Sequence, residues 1–197
     1  MLMRPRRPTC NTMSTVRSAA PIDRRIILHF DSKWEVEEHV RKLDLPYTVL
    51  RPVFIMQNWE MMHEPILGGT LAQPLDPDKP FPHVAVEDVG AFAAIDFEHP
   101  DEWIGREVDV AGDEQTVPET AETFSRLIGR EVRYYQVPWD QFEEQMGEEY
   151  DVMYRWFNDV GYKADIDALR REYPELTTFE RYLRSHGWEV AKLPVGG

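Results

Sequence analysis

A chain of 197 residues, 42% hydrophobic and 29% charged, is long enough to bury a core of its own, as one domain or one and a half small ones. Its formal charge of −14 repels phosphate backbones and argues against nucleic acid as a direct partner. The single cysteine, Cys10, excludes an internal disulfide and suits a cytoplasmic location; no apolar run approaches the ~18 residues of a membrane span, and the opening MLMRPRRPTCNT lacks the apolar stretch of a secretion signal.

The charge is unevenly spread. Residues 1–33 hold seven Lys or Arg against two Asp, net +5, which leaves −19 on the remainder. Residues 1–13 read as a disordered basic tail, and TMSTVRSA as the weak end of a strand. A helix is expected from about Phe30 to Leu43, with Ser32 and Glu35 as a capping box and Val36, Val40 and Leu43 as its apolar stripe. Projected at about 100° per residue, His29 and Lys33 fall within about 40° of Val40, so both point where the stripe points. A lysine there either lays its stem along the core with its ammonium in water, or ends in a cleft and holds a ligand hydroxyl or phosphate.

The run YTVLRPVFIM, rich in β-branched and aromatic residues, predicts a buried strand from Tyr47 to about Leu50, ended by Pro52. Strand, helix, strand implies a parallel sheet. The proline-rich stretch between Glu64 and His83 reads as a long irregular loop. HVAV then gives a short strand, EDVGAFAAIDFEHP a helix with Val89, Phe92 and Ala93 inward, and REVDVAG another strand.

From Thr116 a second region begins. TVPETAETFSRLIGR carries every mark of a capped helix: Thr116 as N-cap, Pro118 in the first turn, Glu119 closing the box and Gly129 just past the end. EVRYYQVP predicts a strand, DVMYRWFNDVGY a helix with Met153, Trp156, Phe157 and Val160 as its apolar face, and TTFERYLRSHGW a last capped helix.

Motifs that carry chemistry by themselves are missing: there is no GxGxxG or GxxGxxG, P-loop, HExxH, paired CxxC or GxSxG. Asp76 and Asp78 flank a proline and read as a solvated turn rather than a cation site, and His63 with Glu64 is too little for a metal. The candidates reduce to His29 with Lys33, and to the segment RPVFIMQNW.

HFDSKWEVEEHVRKLDLPYTVLRPVFIMQNW, followed by VAVEDVGAFAA and AGDEQTVPETAETFSRLIGREVRYYQVP, resembles the NmrA-like family, atypical short-chain dehydrogenases/reductases, over roughly residues 14–182. The resemblance implies an α/β fold: the C-terminal part of a Rossmann-type parallel sheet that binds NAD(P), over 14–115, and a smaller α/β substrate or partner domain over 116–197. It also implies that Lys33 contacts the nicotinamide ribose, and that Pro52, Val53, Phe54, Met56, Gln57 and Asn58 line the nicotinamide end at the carboxyl edge of the sheet. His29 and Lys33 are then the candidate catalytic pair, with His29 where active relatives carry the tyrosine of Tyr-x-x-x-Lys. Phe54 and Trp59 are expected to stack on a flat substrate.

The chain departs from the family pattern in two respects. The histidine favours a redox-sensing or regulatory role beside that of an NAD(P)H-dependent reductase of small, quinone-like molecules. The glycine-rich turn that cradles the pyrophosphate in the family is absent, as in an N-terminally truncated form with weak or no NAD(P) binding and a sheet edge open to self-association, or an inactive partial protein. The expected partners are a small substrate or a regulatory protein, without nucleic acid or membrane.

Overall fold

The computed structural model describes residues 12–14, 28–43 and 45–189, without the side chains of 12–14, 28, 29 and 31. The expected basic tail lies outside these residues, apart from 12 and 13.

Three small sheets and nine helices among the described residues make a mixed α/β fold. In the first sheet β1 (Thr12–Ser14) pairs in parallel with β2 (Thr48–Pro52), which pairs in parallel with β6 (Glu107–Val110). Between β1 and β2 runs α1 (Leu28–Lys42). Two parallel neighbours joined through a helix put the first turns of α1 at the carboxyl edge of the sheet, where β2 ends at Pro52. Every residue of β2 is buried.

The chain leaves β2 through β3 (Phe54–Ile55) and a 3-10 helix over Met56–Met62. In the second sheet β3 lies parallel to β5 (Phe81–Val84), which pairs antiparallel with β7 (Asp113–Gln115). The proline-rich stretch, expected to be one long loop, is more ordered than its sequence suggests. It holds α2 (His63–Leu67) and β4 (Thr70–Gln73), and β4 pairs in parallel with β8 (Arg133–Gln136). TLAQ shows no strand pattern because its partner lies some sixty residues on and it is stabilised by tertiary pairing. Asp76, in the turn after β4, accepts from the Gln136 amide at 2.9 Å and the Asn158 amide at 3.2 Å, and these bonds tie the turn to β8 and α7 (Glu148–Asp159).

The helices α3 (Val86–Glu98) and α4 (Pro100–Trp103) cover β2; buried Thr48 donates to Asp96 and to the Trp103 carbonyl, both at 2.8 Å. After β7, α5 (Val117–Ile128) forms as its sequence predicts: Thr116 and Glu119 close the capping box, and Gly129 ends the helix at φ 77°, a left-handed conformation that glycine adopts without strain. Following β8 come α6 (Trp139–Met146) and α7, then α8 (Ile166–Glu172) and α9 (Phe179–Ser185).

Two apolar clusters fill the interior. The smaller joins Leu50, Val53, Val84, Phe92, Trp103, Val110 and Leu176. In the larger, Phe30, Met56, Trp59 and Phe81 pack with Phe124, Phe157, Phe179 and Trp188, so this core draws on both sides of residue 116.

Candidate cofactor site

One wall of the site is α1. Its stripe is rotated from the sequence expectation: Val36 is 40% exposed and Leu43 49%, while Phe30, Glu37 and Val40 are buried. The pattern misled because Glu37, a carboxylate, occupies the centre of the inward face. It is tolerated there because it is fully paired. Arg51 of β2 donates from Nε to Glu37 Oε1 at 3.0 Å and from a terminal nitrogen to Oε2 at 2.7 Å, and Arg41 donates to Oε2 at 2.8 Å. Glu107 of β6 accepts from both arginines. Burial alone would depress the Arg51 guanidinium, but its bonds to Glu37 and Glu107 outweigh it and hold the pKa above its ordinary value. Burial would also raise Glu107; Arg51 and Arg41 pull it below the usual carboxylate range instead.

Lys33 lies between these buried positions by helical phase, one turn after Phe30 and one turn before Glu37, yet its side chain is exposed. Phe30 is covered by Trp156 of α7, edge-on at 5.2 Å, and Glu37 by Arg51. The inward face of α1 is therefore open at the level of Lys33, with cover above and below. His29 is on α1, but its side chain lies outside the described ones.

The stretch after β2 divides. Pro52 and Val53 are buried, and the Val53 N–H donates to the Val110 carbonyl. Met56 is fully buried, its side chain part of the core. Phe54, Gln57 and Asn58 are half-buried. The Gln57 amide is engaged: its oxygen accepts from the Val86 N–H at 3.2 Å and its nitrogen donates to Glu87 at 2.9 Å, capping α3, which has no side-chain cap of its own. Lys33 and Asn58 are the candidates whose side chains reach solvent without such a commitment in the described contacts; Phe54, half-buried, packs its ring on Trp59, Phe81 and His83.

Trp59 does not stack on anything outside the core. It is fully buried among Phe54, Phe81, His83, Phe124 and Phe179, and this corrects the expectation of a substrate-facing ring. His83, which no sequence motif marks, sits in the same cage, fully buried and stacked on Phe179 at 5.0 Å. Neither ring nitrogen has a hydrogen-bond partner among the described residues, and burial pushes its pKa down to about 3. Sequence did offer one unused signal: Arg51, a charge inside a run of buried strand residues, requires a buried partner.

The NmrA-like family model matches residues 13–183. The chain belongs to the NmrA-like family. The nitrogen metabolite repression protein nmrA of Emericella nidulans is 28% identical over 153 residues, which is 73% of this chain and 40% of that protein. Among solved structures, NmrA, a negative transcriptional regulator in complex with NADP, superposes with a TM-score of 0.68 at 23% identity, over 89% of this chain and 63% of that one. An NADPH-dependent quinone oxidoreductase from Escherichia coli gives 0.71 at 18% identity, over 90% and 66%. At such identities these likenesses show the Rossmann-type α/β fold. This NmrA-like chain thus spans less than half of its curated relative and about two thirds of the structures it matches. Among its described residues no helix is long and apolar enough to cross a membrane.

Proposed function

We propose that this chain forms the nicotinamide end of an NAD(P) site and serves an NAD(P)H-dependent reductase of small, quinone-like substrates. The observation that carries this reading is Lys33: a cation exposed on the otherwise covered inward face of α1, at the carboxyl edge of a parallel sheet, where open α/β folds bind ligands. Lys33 Nζ–H would donate to the hydroxyls of a ribose placed between Phe30 and Glu37, with Asn58 and the exposed part of Phe54 on the opposite wall. A reduced nicotinamide, if held there, would supply the hydride. His29, one turn before Lys33, would hold the proton that the substrate oxygen takes up, and Lys33 would favour its delivery by opposing a second positive charge nearby. Residues 14–115 would then carry the cofactor, and 116–197 the substrate or partner side.

The 197 residues contain no glycine-rich turn for a pyrophosphate, so NAD(P) binding by this chain is expected to be weak. Calorimetric titration with NADPH and NADH tests both statements. Lys33→Ala is expected to lose about 1.5–3 kcal/mol of binding, the range for a charge-assisted hydrogen bond. Equal affinity for the variant, with its fold intact, would return Lys33 to a surface role; micromolar affinity of the unaltered chain would mean that another segment supplies the cradle.

A second reading, a regulatory NAD(P)-responsive binding protein, is favoured by His29 in place of tyrosine and by the likeness to a negative transcriptional regulator in complex with NADP. Turnover separates the two. With NADPH and a panel of small quinones, a reductase lacking its best acid gains rate from His29→Tyr, by up to the roughly 10²–10⁴-fold that general acid catalysis contributes. A regulator shows no turnover with either residue.

A further inference from the structure

We propose that the buried Glu37–Arg51 ion pair positions the cofactor site, fixing Lys33 on α1 relative to the segment from Pro52 to Asn58. The inference rests on the reading of those two stretches as opposite walls of one site. Both charged residues sit next to a wall. Glu37 is one helical turn beyond Lys33 on the same side of α1, and Arg51 immediately precedes Pro52. The pair is bidentate, at 3.0 and 2.7 Å, with Glu37 1% and Arg51 6% exposed.

Apolar packing grips α1 thinly. Among its described side chains, the buried hydrophobic ones are Phe30 and Val40, and Phe30 packs on α7. Hydrophobic contacts of that kind resist separation but are weakly directional, so a helix held by two of them can turn or slide by a fraction of a residue. A planar guanidinium forked onto a carboxylate cannot, because both N–H···O bonds must stay in line. Arg41 and Glu107 extend the lock: Arg41 donates to Glu37 and Glu107, and Arg51 to Glu107, so two arginines and two glutamates tie α1, β2 and β6 together, with Glu38 and Asp109 at the edge of the network. Stability alone does not call for this device, since a buried ion pair is often no better than well-packed apolar residues of similar volume. What apolar residues cannot reproduce is the register.

That contrast gives the test. Glu37→Met with Arg51→Met replaces the pair by apolar side chains of similar length and leaves Arg41 and Glu107 to balance each other. Arg51→Lys keeps the charge and loses the fork. In a Cys10→Ser background, which removes the one native thiol, spin labels at Lys33→Cys and Asn58→Cys report the separation of the two walls without any cofactor. The expected result is a single narrow distance in the unaltered pair and a broadened or shifted one in both variants, at nearly unchanged melting temperature. In unlabelled protein, NADPH affinity is expected to fall at least about tenfold, the effect of losing one well-placed charged hydrogen bond. An unchanged narrow distance in folded variants overturns the proposal, as does a fold lost in both, which would assign the pair to stability. If the unaltered chain binds NADPH too weakly to titrate, as its lack of a glycine-rich turn allows, the label distances alone decide whether the pair sets the register of α1, and their outcome stands apart from the cofactor reading.

Discussion

His83 is a base that the fold keeps from acting as one. Its ordinary pKa of 6.5 falls to about 3 because burial in its cage of Phe54, Trp59, Phe81 and Phe179 disfavours the charged ring. The linkage has a definite sign. Above pH 6.5 the ring is neutral both folded and unfolded, and its titration has no effect on stability. Between 6.5 and about 3 the unfolded chain takes up a proton that the folded chain refuses, so stability falls by about 1.4 kcal/mol per pH unit as the solution is acidified. His83→Leu, close in volume, removes this dependence. Melting temperatures of the two proteins are expected to diverge below pH 6.5 in favour of the variant; parallel curves down to pH 4 would show that the imidazole is charged, or paired, in the native state.

At the scale of elements, what could be read from sequence depended on whether an element's own residues decide its structure. The helix α5 did not need its surroundings, because N-cap, box partner, proline and terminal glycine are all local. Thr116→Ala is accordingly expected to cost about 1 kcal/mol, the usual loss for an N-cap. In a chain of this size that lowers the melting temperature by about 2–4 °C. A change under 0.5 °C would mean that the Glu119 side chain and tertiary packing hold the first turn without it. The helix α1 was legible as a helix but not in its phase: periodicity assigns apolar residues inward, and here a paired carboxylate took the place that Val36 and Leu43 were expected to share. The strand β4 was illegible, since its pairing with β8 is a distant event that four residues cannot announce. For the site the same division holds. The position of Lys33 on a helix one turn from Phe30 and Glu37 was legible in the sequence, whereas the commitment of Gln57 to capping α3 and the burial of Met56 and Trp59 depend on neighbours far along the chain.

For the whole molecule the question is whether the segments before and after residue 116 unfold apart. Polar ties cross between them in several places, besides the shared aromatic core and the pairing of β4 with β8. The Asp88 carboxylate accepts from both the N–H and the hydroxyl of Thr177 at 3.0 Å, Asp113 accepts from the Phe179 N–H at 2.8 Å, Arg170 donates to the Gly112 carbonyl at 2.9 Å, and Glu60 accepts from the Trp188 indole at 2.7 Å. Three of these meet around Gly112 and Asp113, where the chain passes so close to Thr177 that a methyl group on Gly112 would sit 2.5 Å from the Thr177 carbonyl oxygen. Both sides of that contact are backbone, so neither can move aside as a side chain would. Gly112→Ala is therefore expected to cost at least the roughly 1–3 kcal/mol typical of overpacking. Because the core is continuous across residue 116, the cost should appear as one calorimetric transition moved down in temperature, with equal calorimetric and van't Hoff enthalpies before and after the change. Two resolved peaks, with Gly112→Ala shifting one of them, would instead make 14–115 and 116–197 separate cooperative units, and the ties around Gly112 a contact between two domains rather than part of one.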